Sequence, residues 1–335
     1  MDDKIITLAH GGGGLKTKKL IEEIIFRHLG NPLLSRMDDA ACFSVPQVDL
    51  AMTTDSYVIT PYFYPGGDIG KLAVCGTVND LAMQAAKPLV LSFGLILEEG
   101  FPVLDLDRIL SSMAAVLKET GTQVITGDTK VVERKACSGI FINTTGIGSR
   151  LKDIDVHVSN ARPGDAIIVT GTLGDHGIAV LSRREGLEFE TELVSDTAPL
   201  WDLTGLLLEK APVHCLRDPT RGGLAAALCD IAGQSRAGVS IREKDIPVKK
   251  AVRSACGLLG LDPLNVANEG KAVVVCPADA ARTALSALRS HPLGRDAAII
   301  GEIVSDHPGQ VVLSTGTGGE RIVELPSGED LPRIC

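Results

Sequence analysis

No stretch of this chain approaches eighteen continuous apolar residues, which excludes a helical membrane span. Positive charge is in short supply: the formal net charge is -9, whereas a nucleic-acid binder needs a basic face toward phosphates. The eight cysteines include no Cys-x-x-Cys pair, and Cys75, Cys229 and Cys276 lie inside apolar runs. That pattern favours reduced, buried thiols over a disulfide framework or a zinc site. The start, Met1-Asp2-Asp3-Lys4, is unlike a basic-then-apolar signal peptide, so the expected compartment is the cytoplasm. No glycine run is followed by Gly-Lys-Ser/Thr, and no Gly-x-Ser-x-Gly elbow supports a nucleophilic serine. Of the seven histidines, only His10 lies beside a candidate site. Aromatics make up 3%, and Tyr62-Phe63-Tyr64 gathers three of them ahead of Pro65-Gly66-Gly67, as a plug or an interface anchor.

What is present is length for two domains, at 335 residues, and 36 glycines for tight turns and close backbone approaches. Hydrophobic spacing predicts a helix at 18–29, strands at 38–43 and 50–56, and a helix at 68–86. A strand at 89–97, a helix at 107–118, a short strand at 124–126 and a strand at 140–148 follow. The polar stretch 152–163 reads as the interdomain link. Beyond it come a strand at 166–170 and a helix entered through Gly171-Thr172-Leu173-Gly174, either a second phosphate cradle or a plain turn. A helix running to about residue 232, a strand at 272–276, a helix at 278–290 and strands at 298–300 and 311–313 complete the chain. Successive strands in the first half fit α+β layers better than a Rossmann repeat. The 68–86 helix carries Ala73, Gly76, Ala82, Ala85 and Ala86, small side chains that permit close packing and make it central.

Several stretches carry candidate chemistry. His10-Gly11-Gly12-Gly13-Gly14 exposes consecutive backbone N–H groups and reads as an anion-binding nest or a flexible linker. Asp39 and Asp55 stand at strand ends, where loops gather function. Asn79-Asp80 sets polar groups among apolar neighbours, and a metal or a cap is the plausible partner for the acid. Asp128 and Lys130, just past a predicted strand end, suit a Mg2+-phosphate site or a surface ion pair. In Arg217-Asp218-Pro219-Thr220-Arg221-Gly222-Gly223, Thr220 is placed to cap the next helix while the arginines face anions or carboxylates. Asn268-Glu269-Gly270-Lys271 on its own reads as a turn. The stretch 324–330 reads as a tether to Leu331-Pro332-Arg333-Ile334-Cys335, whose thiol is either a mobile reactive group steadied by Arg333 or part of a frayed tail.

Taken together, these stretches resemble the HypE family of hydrogenase expression/formation proteins, within the aminoimidazole ribonucleotide synthetase-like superfamily. The match runs through His10 to Gly14, Asp38-Asp39-Ala40-Ala41, Gly66 to Val74 (including Lys71), and Gly76-Thr77-Val78-Asn79-Asp80-Leu81-Ala82. It continues through Gly127 to Val132, Asp218 to Gly223, Asn268-Glu269-Gly270 and the terminal Pro332-Arg333-Ile334-Cys335. The blocks recur in order over nearly the whole chain; Gly12, where the family often has serine, and Gln84-Ala85, where a glycine is common, are the departures.

The resemblance implies a two-domain α+β fold of the PurM-like type. Its parts would be a glycine-rich arm and helix (1–36), an ATP-binding and dimerising domain (37–150), a C-terminal α/β domain (151–320) and a mobile tail (321–335). It implies ATP-dependent dehydration of S-carbamoyl-cysteine at Cys335 to S-cyano-cysteine. A HypF-type carbamoyltransferase would load the thiol, and the HypC–HypD complex would receive the cyanide for the iron of a nickel-iron hydrogenase. By family match, His10 to Gly14, Asp39, Lys71, Asn79 and Asp128 would bind ATP, and Asp55, Asp80 and Asp128 would hold Mg2+. Lys130 would steady the γ-phosphate or the developing imidate oxygen, Glu269 would take the amide protons, and Arg217 or Arg221 would neutralise charge near the tail. Two other readings stand beside it. One is an ATP-using relative acting on free aminoimidazole ribonucleotide, thiamine monophosphate or selenide, the last disfavoured because no cysteine adjoins the glycine run. The other is a non-enzymatic carrier of a group on Cys335, which would have no use for an ATP site.

Overall fold

The computed structural model describes residues 4–7, 10, 19–31, 49–186 and 193–324. In the first domain a π-helical turn (Ile21–Ile25) runs into α1 (Phe26–Leu29) and buries Leu20, Ile24, Ile25 and Leu29, the apolar positions of the predicted helix. Then come β1 (Leu50–Tyr57), a small hairpin of β2 (Phe63–Tyr64) and β3 (Gly67–Asp68), and α2 (Ile69–Met83). They are followed by β4 (Ala86–Glu98), α3 (Val103–Thr120), β5 (Gln123–Val132) and β6 (Ile140–Arg150). The four long strands form one sheet in the order β1-β6-β4-β5, with β4 and β5 parallel and the other pairs antiparallel.

The helix α2 is the first domain's keel, as its small residues predict. Asp68 caps it by accepting hydrogen bonds from the backbone of Gly70 and Lys71, which satisfies otherwise orphaned donors. Glycine is required where α2 meets its neighbours. A Cβ on Gly70 would lie 2.6 Å from the Ile109 carbonyl oxygen of α3, and one on Gly76 would lie 2.3 Å from the Tyr57 hydroxyl of β1. The helix stops short of its predicted end: Ala85 takes a left-handed φ of 52° and Ala86 already begins β4.

β5 departs from expectation in the other direction. Instead of ending at Thr126 it continues through Asp128 and Lys130, because Gly127 to Val132 pair in register with Phe93 to Glu98 of β4. Gly127 makes this possible, since a Cβ there would lie 2.6 Å from the Phe93 carbonyl oxygen.

The second domain holds β7 (Asp165–Val169), α4 (Asp175–Glu185), α5 (Trp201–Lys210), β8 (Cys215–Arg217), α6 (Gly223–Ser235) and β9 (Gly238–Arg242). After these come α7 (Lys250–Leu259), β10 (Val273–Pro277), α8 (Ala281–Ser290), β11 (Ala298–Val304), β12 (Val311–Ser314) and β13 (Glu320–Val323). Its seven strands run in the order β13-β12-β9-β11-β7-β10-β8, with one parallel pair, β9 and β12. β7 lies inside the sheet and is buried on both faces: Ile167 and Val169 join Leu224, Leu228 and Ile231 of α6, while Ile168 joins Leu203 of α5 and Leu288 of α8. The elements α5, β8, β9, α7 and β13 lie outside those predicted. β13 pairs with β12 up to Val323, so ordered pairing extends past residue 321, where the tail was expected to start.

Candidate active site at the seam between the domains

The chain passes from the first domain to the second between Arg150 and Asp165, the stretch expected as the link, and the second domain's segment 193–200, which has no regular structure, lies against the first domain. The Ser195 N–H donates to the Pro65 carbonyl at 2.9 Å. Asn79 of α2 completes the join: its Nδ2 donates to the carbonyls of Ala198 at 3.0 Å and Glu269 at 3.3 Å, and its Oδ1 accepts from the Leu200 N–H at 2.8 Å. Asn79 was expected at the cofactor; instead both ends of its amide are committed to the second domain's backbone.

One residue further along α2, Asp80 turns toward β1, where the Thr53 hydroxyl donates to it at 2.8 Å. Around it gather Asp55 from β1, Asp218 after β8 and Glu269 before β10, four carboxylates drawn from both domains. Burial raises the Asp80 pKa to about 7, Asp218 and Asp55 push it the same way, and Arg217 opposes them. Burial also raises Asp218, against the pull of Arg217 and with a further push from Asp55. Glu269 is 4% exposed. Its pKa rises well above the usual carboxylate range through burial first, then through Asp218, Asp196, Asp55 and Asp80.

Two cations border this cluster. Arg217 donates to Asp230 of α6 at 3.0 Å, and Arg221 approaches Asp55 across the seam at 3.8 Å. The arginines thus face carboxylates, as expected. Thr220 does not cap α6: the cap position is Gly222, at φ 74°, and Thr220 contributes only its carbonyl, to the Gly223 N–H at 2.9 Å. Among the described residues no three His, Cys, Asp or Glu side chains converge closely enough to cage a metal ion by themselves.

The other expected site residues lie elsewhere. Asp128 and Lys130 pair at 3.3 Å, well exposed, on the edge strand β5. Strand register sets their face. Asp55 aligns with Thr144, Phe93 and Gly127, on the side where the Thr144 hydroxyl contacts α2. Asp128 aligns with Gly94, Asn143 and Ser56, on the opposite side. Within one chain, therefore, Asp128 and Lys130 sit across the sheet from Asp55, Asp80 and Glu269. Lys71, at the other end of α2, donates from Nζ to the Gly66 carbonyl at 3.0 Å. His10 is fully buried, with Nδ1 accepting from the Thr7 N–H at 3.1 Å. Gly11 to Gly14, Asp39 and Cys335 lie outside the described residues.

Two acids at the seam had been given no role. Asp218 stood within a matched stretch, and the flanking arginine was the available signal. Asp196, between Ser195 and Thr197, carries no local signal at all. All six described cysteines, Cys75, Cys137, Cys215, Cys229, Cys256 and Cys276, have thiols pushed up by burial, Cys215 to about 12 and Cys256 and Cys276 to about 11. None of them is a ready thiolate nucleophile.

Residues 37–149 match the family described as AIR synthase related protein, N-terminal domain, and residues 162–314 match its C-terminal domain. The chain is 52% identical over 332 residues to the carbamoyl dehydratase HypE of Rhizobium leguminosarum bv. viciae, covering 98% of this chain and 95% of that one. Among solved structures, the hydrogenase maturation protein HypE in complex with ATP superposes with a TM-score of 0.95 at 48% identity, over 98% of this chain and 99% of that one. A HypE–HypF complex contains a chain that matches with a TM-score of 0.80 at 48% identity, over 92% and 99%. No helix of the described residues is long and apolar enough to cross a membrane.

Proposed function

The chain belongs to the carbamoyl dehydratase HypE family of AIR synthase related proteins, and from that premise we propose that the seam is where ATP drives dehydration of a carbamoyl group carried on Cys335. The observation that carries this reading is the meeting of Asp55, Asp80, Asp218 and Glu269 with Arg217 and Arg221 between the two domains. An amide oxygen is a poor leaving group. Transfer of the γ-phosphoryl to that oxygen converts it to phosphate, the nitrogen gives up two protons, and the products are S-cyano-cysteine, ADP and phosphate. Such a transfer depends on positioning and charge neutralisation, which arginines and a metal ion supply.

A divalent cation fits the donors. Asp55 and Asp80 offer hard oxygens, and burial first, then repulsion from Asp218 and Asp55, raises Asp80 to about 7. Magnesium usually takes only one or two carboxylates alongside phosphate oxygens, a number that Asp55 and Asp80 can supply. When bound, it neutralises charge on the phosphates. Glu269 is the proton acceptor in this reading. Once the arginines and a bound cation neutralise the surrounding acids and leave it ionised, a buried carboxylate binds a proton more tightly than an exposed one, which suits a weakly acidic amide nitrogen. Asp128 and Lys130 serve the same nucleotide only if a second copy of the chain brings its own pair, because their sheet face is the wrong one in cis. That face also exposes Met52 (72%), Leu50 (46%) and Ile96 (39%), which supports a homodimer built through the first domain. A monomer in sedimentation at micromolar concentration would contradict the dimer.

Cys335 lies eleven residues beyond Glu324, and an extended segment of that length spans at most about 36–40 Å. The described chain leaves beside α6, where the Cys229 thiol donates to the Val323 carbonyl at 3.5 Å. The N-terminus of that helix adjoins Arg221, six residues or about 9 Å back along the axis. A thiol on this tether therefore has the reach to enter the seam. In this reading a HypF-type carbamoyltransferase loads the thiol, which the solved HypE–HypF complex supports, and a HypC–HypD complex unloads it. Incubating the protein with that carbamoyltransferase, then with Mg-ATP, and weighing the C-terminal peptide tests the whole reading. The expected result is loss of the mass of one water, with cyanide then passing to the iron-carrying partner. Cys335→Ala should abolish product and keep ATP binding, and Glu269→Ala or Lys130→Ala should block dehydration. An unchanged peptide mass with ATP intact would refute the activity.

A further inference from the structure

We propose that Asp196 is a positioning residue for Glu269, holding in place the peptide that carries the proton acceptor. The inference rests on the reading of Glu269 given above. Asp196 is almost wholly buried; its Oδ1 accepts from the Glu269 N–H at 3.2 Å and its Oδ2 from the Gly270 N–H at 3.3 Å. On the other side of the same peptide, the Glu269 carbonyl accepts from Asn79 Nδ2 at 3.3 Å and from the Ala198 N–H at 3.4 Å. Glu269 is thus clamped at both ends by groups remote in sequence, one of which adjoins Asp80 on α2. The clamp fixes Glu269 relative to the acids of the first domain.

The fit is close. A Cβ on Gly270 would lie 1.9 Å from the Asp196 carbonyl oxygen, so only glycine lets segment 193–200 press this tightly against the 268–271 turn. Asp196 is also provided for as a charge. Burial alone would raise its pKa, but Lys271, His176 and the Glu269 amide overcome that and leave it lowered. Lys271, itself buried, pairs with it at 3.2 Å. A buried ion pair costs several kcal/mol in lost hydration per ion and is a poor way to stabilise a fold. Two backbone donors could be satisfied by a neutral acceptor. A full charge with its own counter-ion, placed on the amide of the residue that must move protons, is explained by positioning. The titratable and charged groups facing Glu269 include Asp55, Asp80, Asp196 and Asp218, with Tyr57, Tyr64 and Cys75 also in its field, and those facing Asp196 include Lys271 and His176.

The test removes both charges at once, Asp196→Asn with Lys271→Gln, so that no lone charge is left buried. In the full-length protein carbamoylated on Cys335, single-turnover dehydration at saturating Mg-ATP should slow by about 10- to 100-fold, as expected when a reacting group loses its alignment. The Kd for ATP should stay within about twofold. In a Glu269→Gln background the same two changes should add no further loss to the residual rate, since Asp196 acts only through Glu269. Equal slowing in both backgrounds, or ATP affinity falling in step with the rate, marks a general packing role and overturns the inference. Wild-type turnover in the charge-removed protein while Glu269→Gln is inactive overturns the positioning role alone. Wild-type turnover in Glu269→Gln overturns the proton-acceptor reading. Should the double variant not fold, Asp196→Asn alone, with Lys271 still able to donate to the new amide oxygen, is judged by the same three measurements.

Discussion

Asp80 carries the seam's excess of negative charge in a form that titration can read. Its carboxyl ionises near 3.8 in an unfolded chain and at about 7 in the fold, with burial the first cause and Asp218 and Asp55 adding to it. The folded pKa is raised, so between those values the folded state holds a proton that the unfolded chain has released. This group's contribution to stability is therefore most favourable below about pH 4 and is lost as pH rises through about 7. Asp80→Asn removes the titration and keeps an oxygen for the Thr53 hydroxyl. Nucleotide-free Asp80→Asn should melt above wild type at pH 8, by roughly 2–5 °C, with the gap closing toward pH 5. A gap independent of pH would sink the assignment. The same scale explains what a linear reading of the chain misses. Glu269 and Asp218 sit in stretches rich in turn residues, and nothing beside them in sequence reveals that the fold brings Asp218 close enough to raise the proton affinity of the buried Glu269. Family resemblance singled out Glu269; burial and its acidic neighbours supply the physical reason for its altered proton affinity.

At the level of elements, composition was a good guide where packing is decided locally. The run of small residues in α2 announced a helix with close neighbours on several sides. Gly70→Ala tests that directly: the new methyl would meet the Ile109 carbonyl oxygen of α3, so despite alanine's better helix propensity the variant should lose about 1–3 kcal/mol in urea unfolding. A neutral or stabilised Gly70→Ala would show that α2 and α3 can separate at no cost. Pairing partners, by contrast, are not written in the strand itself. Gly127-Asp128-Thr129-Lys130 has the composition of a turn, yet it is strand because β4 offers a parallel edge to it. That extension moves Asp128 and Lys130 from an imagined loop beside the acids to the opposite face of the sheet. β13, with its polar residues, was missed for the same reason: its support comes from β12.

For the molecule as a whole, the surface proposed to work belongs to neither domain. Their cores are partly shared, since Ala82, Met83 and Ala85 pack with Leu200, Leu203 and Leu288 while Val180 and Ala267 join the first domain's cluster, and the acids that meet between them come from α2 and β1 on one side and from the approaches to α6 and β10 on the other. Such a site depends on how the domains are held, and Asn79 makes three hydrogen bonds from one to the other. The sequence match assigned it to the cofactor; the geometry gives it three backbone partners in the second domain, at Ala198, Leu200 and Glu269. The two roles predict different things for Asn79→Ala. If the amide joins the domains, its loss strands the buried Leu200 N–H and removes the Asn79 partner of the Ala198 carbonyl, lowering the unfolding free energy by about 2–4 kcal/mol while the Kd for ATP changes little. Dehydration should slow as well, because the Glu269 carbonyl loses one of its two holds. If the amide instead contacts the nucleotide, ATP affinity should fall by about tenfold or more and urea unfolding should hardly move. Isothermal titration with ATP beside a urea melt of the same preparation separates the two, and the join is the wrong description of Asn79 if affinity collapses while stability holds.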